Sequence, residues 1–134
     1  IASFVTEVIN AGLQDQVKFL GSLQGENLVN ALNEHRFLLV PSIWDEPFGL
    51  VALEGMACGC IPIVSNGGGL PEACGNAGLI FEKNDVKGLY DCMVKINMDT
   101  APEKELKKAA VIHLENHQSS KVARAYLDVL HSCV

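Results

Sequence analysis

The sequence predicts an α/β fold, a Rossmann-like three-layer arrangement in which a parallel sheet carries helices on both faces. Short apolar runs suited to buried strands, such as Phe37-Leu38-Leu39-Val40 and Ile61-Pro62-Ile63-Val64, alternate with segments whose apolar residues recur every three or four positions. Such alternation builds parallel sheets through right-handed crossovers. The loops after these two runs hold Pro47 and Gly49, and then Gly67, Gly68 and Gly69. They fall at strand carboxyl ends, where open α/β sheets bind ligands.

Taken in order, the chain opens in a helix with Phe4, Val8 and Ile9 on one face and Gly12 as its stop. A strand is expected over residues 17–20, a helix over about 26–34 and a strand over 37–40. The next helix starts near Gly49, with Leu50, Leu53, Met56 and Ala57 as its apolar positions, and a strand follows at 61–64. Asn66-Gly67-Gly68-Gly69 makes a turn, and Pro71 suits the first turn of a short helix. The extra glycine, Gly67, is expected to loosen that turn. Residues 78–81 give a last short strand, and Asp85 caps a helix carrying Val86, Leu89, Tyr90, Met93 and Val94. Residues from 102 to about 117 repeat the helical pattern through Leu106, Ala109, Ala110 and Leu114. Ser119 or Ser120 then caps a final helix through Val122, Ala123, Tyr126, Leu127 and Leu130. The stretch from Met98 to Pro102 is the one soft joint expected, and no internal repeat or low-complexity tract is present.

The most informative stretch is Pro41-Ser42-Ile43-Trp44-Asp45-Glu46-Pro47-Phe48-Gly49-Leu50-Val51-Ala52-Leu53-Glu54. With Glu46 just before a helix and Glu54 inside it, the two backbones lie about 12 Å apart along the axis. That is about the reach from a ribose to a sugar across a diphosphate. Unpaired amides near Phe48, Gly49 and Leu50 would point at anions, and Gly49 has no side chain to hold a phosphate away. One carboxylate could then accept hydrogen bonds from ribose hydroxyls and the other from a transferred sugar. By itself the spacing equally suits a capped helix with two solvated glutamates.

The stretch continues as Met56-Ala57-Cys58-Gly59-Cys60-Ile61-Pro62-Ile63-Val64-Ser65, then Gly68-Gly69-Leu70-Pro71-Glu72. Taken together it resembles the nucleotide-sugar-binding lobe of retaining glycosyltransferases of family 4, also called group 1, which have the two-lobed GT-B fold. The resemblance runs from about Asp15 to Phe81 and is less distinct beyond. It implies that the chain is a partial carboxyl-terminal lobe and a hexosyltransferase by class. It also implies that Glu46, as the catalytic-site residue, lies at the donor sugar as a contact rather than a base, and that Glu54 binds the ribose. Main-chain amides at Phe48, Gly49 and Leu50 would meet the sugar and diphosphate, with Gly68, Gly69 and Glu72 bordering the site. The family also implies an Arg and a Lys from the first strand and helix of this lobe to support the departing diphosphate. No segment resembling that unit is legible, so the 134 residues are expected to be one incomplete domain, inactive alone. Residues 119–134 would pack toward an amino-terminal, acceptor-binding lobe. Strands at 17–20 and 37–40 are then expected either to pair directly or to be completed by a second copy, through exchange or edge pairing.

Composition narrows the partners. A net charge of −6 argues against nucleic acid and anionic membranes and leaves a diphosphate weakly held without added cations. At 49% hydrophobic and 19% charged, the chain is rich in apolar surface for its size. No apolar run approaches a membrane span and no signal peptide is visible. Cys58, Cys60, Cys74, Cys92 and Cys133 read as reduced, mostly buried thiols of a cytoplasmic protein, with membrane association of a longer parent left open. His113 and His117 read as a solvated helix face, and no Asp-x-Asp pair or zinc spacing occurs, so neither metal nor cofactor is expected. The partners implied are a nucleotide-sugar donor and, in an intact parent, a sugar or lipid-linked acceptor. A non-catalytic nucleotide-sugar module is the first alternative. A different nucleotide-binding α/β domain, such as an epimerase lobe, is the second, although no Gly-x-Gly-x-x-Gly follows a strand.

Overall fold

Strands β1 (Phe37–Val40), β2 (Ile61–Ser65) and β3 (Leu79–Phe81) pair in parallel in the order β1-β2-β3. They belong to a computed structural model that describes residues 2–99 and 101–133. All five residues of β2 are buried, as a central strand covered on both faces requires. Pro62 sits within it at little cost. Ile61 donates its N–H toward Arg36 at the β1 side (2.9 Å), so by alternation the Pro62 nitrogen faces β3, whose paired residues begin only at Leu79 opposite Ile63.

Alternation divides the core into two layers. Val40 and Val64 face one way and pack with Ala52 and Met56 of α3 (Leu50–Ala57), Leu70, Ala73 and Cys74 of α4 (Leu70–Cys74), and Ala110 of α6 (Ala101–Asn116). Ile61, Ile63 and Phe81 face the other way, against Ile96, Leu89 and Cys92 of α5 (Val86–Met98). The chain therefore has the expected three layers. Helix α3 approaches through small residues: a Cβ on Gly55 would lie 2.5 Å from Leu38 Cδ2, so the buried stripe is Ala52, Gly55 and Met56. Leu50 and Ala57, expected inside, are exposed.

Helices α1 (Ala2–Asn10), α2 (Gly25–Asn33) and α7 (Ser119–Ser132) complete the elements. Gly12 ends α1 at φ 68°, and Asp85 caps α5 by accepting from the Gly88 amide. Three expectations are corrected. Residues 17–20 form no strand, and Phe19 and Leu20 are 49% and 55% exposed, with Phe19 edge-on to Phe4 at 6.0 Å. Among the described residues β1 pairs only with β2, so the direct pairing of these segments does not occur. Gln118, not a serine, precedes α7, and its side chain makes no cap. The Met98–Pro102 joint includes Thr100 and the carboxyl-terminal segment ends at Val134, both outside the described residues.

Candidate functional site

The carboxyl end of β1 turns through residues 41–49 into α3, and two serines fix the turn. Ser65, buried at the end of β2, donates its hydroxyl to the Ser42 carbonyl at 2.7 Å. Ser42 in turn donates to Glu46 Oε1 at 2.9 Å, holding a half-buried carboxylate at the strand end. Gly49 is buried at φ 94°, a region L side chains rarely enter. A Cβ there would lie 2.8 Å from Leu70 Cδ2 and 3.3 Å from Ala73 Cβ, so glycine alone fits between the loop and α4. With no side-chain cap at Gly49, the first turn of α3 presents the positive end of the helix. Leu50 (64% exposed) and Glu54 stand four residues apart on the solvent side of α3, opposite its buried stripe.

A second loop packs on the first. The Gly69 amide donates to the Glu46 carbonyl at 2.6 Å, and the Gly68 amide to Asp45 Oδ1 at 3.1 Å. A Cβ on Gly68, which lies at φ 55°, would fall 2.1 Å from the Glu46 oxygen. One on Gly69 would fall 2.6 Å from Phe48 Cα. The glycines are thus dictated by contact between loops. Gly67 does not loosen the turn: it is buried, and a Cβ would meet Lys83 Cε at 2.9 Å and the Trp44 oxygen at 3.1 Å.

The structure therefore gathers Glu46, Phe48, Gly49, Leu50, Gly68 and Gly69 around the end of β1, with Glu54 further along the open side of α3. Glu72 is exposed in the first turn of α4. Other hollows lie elsewhere, including one of about 430 Å3 between Phe37, Leu39, Tyr90 and Met93, and one of about 330 Å3 beside Lys121, Val122 and Tyr126.

Several residues here carried no signal in the sequence. Lys83, just past β3, pairs with Asp45 at 2.5 Å, 38 positions away, and holds the Asp45 carboxyl below the usual carboxylate range. Ser65 and Ser42 are likewise joined only by the pairing of β1 with β2. His113 and His117 are not a solvated face. Both are half-buried, His113 Nε2 donating to the Ala73 carbonyl at 2.9 Å and His117 Nδ1 to the His113 carbonyl at 2.9 Å. The His117 ring lies 6.1 Å from Phe48, so the turn just past α6 backs the loop. Among the described residues no group of three or more His, Cys, Asp or Glu side chains is arranged to hold a metal ion.

The family model for glycosyl transferases, group 1, matches residues 2–112. A D-inositol 3-phosphate glycosyltransferase of Saccharomonospora viridis is 30% identical over 129 residues, covering 95% of this chain and 30% of that protein. The serotype-specific mannosyltransferase WbdA of Escherichia coli is 31% identical over 115 residues, covering 86% of this chain and 14% of that protein. Among solved structures, Anabaena HepE in complex with UDP superposes with a TM-score of 0.83 at 21% identity, over 98% of this chain and 36% of that one. Sucrose-phosphate synthase from Thermosynechococcus elongatus gives 0.74 at 29% identity, over 96% and 34%. The chain thus spans about 30% of the length of the first curated relatives it matches. Its parallel α/β sheet, its glycine-lined strand end and the match over most of its length agree: the chain belongs to the group 1 family of glycosyltransferases.

Proposed function

We propose that this chain is the donor-binding part of a retaining, metal-independent, cytoplasmic glycosyltransferase. In this reading it moves a hexose from a nucleoside-diphosphate sugar to a sugar or lipid-linked acceptor. The observation that carries the proposal is the strand end where Ser42 holds Glu46 and Gly49 opens α3, with Glu54 on the exposed side of the same helix. Glu46 contacts the donor sugar, Glu54 accepts from the ribose hydroxyls, and the amides of Phe48, Gly49 and Leu50 face the diphosphate. Gly68, Gly69 and Glu72 border the donor in this reading. The relatives named as an inositol-phosphate glycosyltransferase and a mannosyltransferase favour a sugar donor.

The charge balance sets the expected affinity. Lys83, a cation beside these loops, is already held by Asp45, and the net charge is −6, so the 134 residues bind a diphosphate weakly. Helix α7, whose apolar residues are all exposed, packs in this reading toward the rest of a longer protein.

Titration with UDP-, GDP- and ADP-sugars while following thermal unfolding tests the reading, because a ligand of the native state raises its melting temperature. One of the three is expected to raise it, and Glu54→Ala to weaken that ligand by about tenfold, the loss of hydrogen bonds to a charged acceptor. Stabilisation by NAD and by none of the sugar nucleotides would overturn it.

A further inference from the structure

Three loops at the carboxyl ends of three neighbouring strands meet at one carboxylate. Asp45 stands in the loop after β1, Gly68 in the loop after β2 and Lys83 just past β3. Asp45 Oδ1 accepts from the Gly68 amide at 3.1 Å and from Lys83 Nζ at 2.5 Å. The adjoining carbonyl, that of Glu46, accepts from Gly69 at 2.6 Å. We propose that Asp45 and Lys83 form a clasp that positions the Glu46 loop for donor binding, Asp45 as the positioning residue and Lys83 as its anchor. The inference rests on the donor-site reading above but concerns residues to which that reading gives no role.

Geometry gives the clasp its direction. Lys83 is the better-seated partner, its side chain 27% exposed against 74% for Asp45, with its stem beside Gly67 at the foot of the glycine loop. The lysine therefore serves as the fixed point and the aspartate as the movable one. Glu46 is then held from two sides, its carboxylate by Ser42 and its backbone by Gly69, while the residue before it is tied to β3. A pair this exposed adds little to global stability, so its action is local, on the amides it orders. No motif pairs positions 45 and 83; only the order β1-β2-β3 brings them together.

The test compares the full chain with Lys83→Met and Lys83→Arg, reading amide hydrogen exchange at Gly68 and Gly69, affinity for UDP, GDP and ADP, and melting temperature. Lys83→Met is expected to speed exchange at both glycines by about threefold to tenfold, the worth of one hydrogen bond, with the melting temperature near that of the parent. The affinity for whichever nucleotide binds best falls by a similar factor, and Lys83→Arg restores both. Unchanged exchange in Lys83→Met overturns the clasp whatever the nucleotides do. Faster exchange with unaltered affinity overturns the positioning role and leaves the donor reading standing. Failure of all three nucleotides to bind the unmodified chain overturns the donor reading, and the positioning role with it.

Discussion

Gly49 shows how one residue shapes the candidate site. Its backbone lies at φ 94°, and a Cβ would press on Leu70 at 2.8 Å and on Ala73 at 3.3 Å. Gly49→Ala combines a left-handed backbone penalty with overpacking, for a loss of about 2–4 kcal/mol by urea denaturation. A loss under about 0.5 kcal/mol, the range of ordinary surface changes, would show that the loop relaxes freely. Asp45 makes the matching electrostatic case. Its carboxyl is lowered first by the hydrogen bond from Lys83 and then by that cation's charge. A depressed carboxylate adds order that is fully present above the usual carboxylate range and is lost as pH falls through its own lower value. Exchange at Gly68, corrected for intrinsic chemistry, is therefore expected to be pH-independent near neutrality and to accelerate only in acid. Acceleration already between pH 6 and 7 would contradict this origin.

At the scale of elements, the strands with continuous apolar runs and the helices with strong periodicity were legible, because burial writes those patterns directly into the chain. Residues 17–20 were not, since Val17, Phe19 and Leu20 have strand-like composition but, among the described residues, pair with no strand. The face of α3 was misplaced for a related reason: close approach to Leu38 favours Ala52 and Gly55 over the larger Leu50. Helix and sheet are also tied by a thiol. Cys60, at the entry to β2, donates its S–H to the Leu32 carbonyl at 3.1 Å, a second bond beside the one that carbonyl accepts from the His35 amide at the end of α2. Burial pushes the Cys60 thiol up, and that of Cys74 up to about 11, whereas Cys133 is exposed. Brief alkylation at neutral pH followed by mass spectrometry is expected to label Cys133 first and to spare Cys60 and Cys74 until unfolding. Early labelling of Cys74 would show that α4 opens readily from the sheet.

On the scale of the whole molecule, the Glu46 loop could be read from the sequence because strand, loop and helix lie consecutively in the chain. Its supports could not. Ser65, Lys83 and His117 reach it only through strand order and the return of α6, which no local pattern encodes. Among the described residues no helix is long and apolar enough to cross a membrane, and exposed apolar residues lie on α7, on α1 with the segment that follows it, and beside the β1 edge. The central claim is that one strand end receives the donor, with peptide nitrogens at its diphosphate and an acid at either end. The most direct measurement is a backbone NMR titration with the sugar nucleotide that stabilises the chain. The amides of Phe48, Gly49, Leu50, Gly68 and Gly69 are expected to shift together, with the Glu46 and Glu54 carboxylates following. Shifts gathered around Tyr90 and Met93 or around Tyr126, with these amides unmoved, would contradict the account.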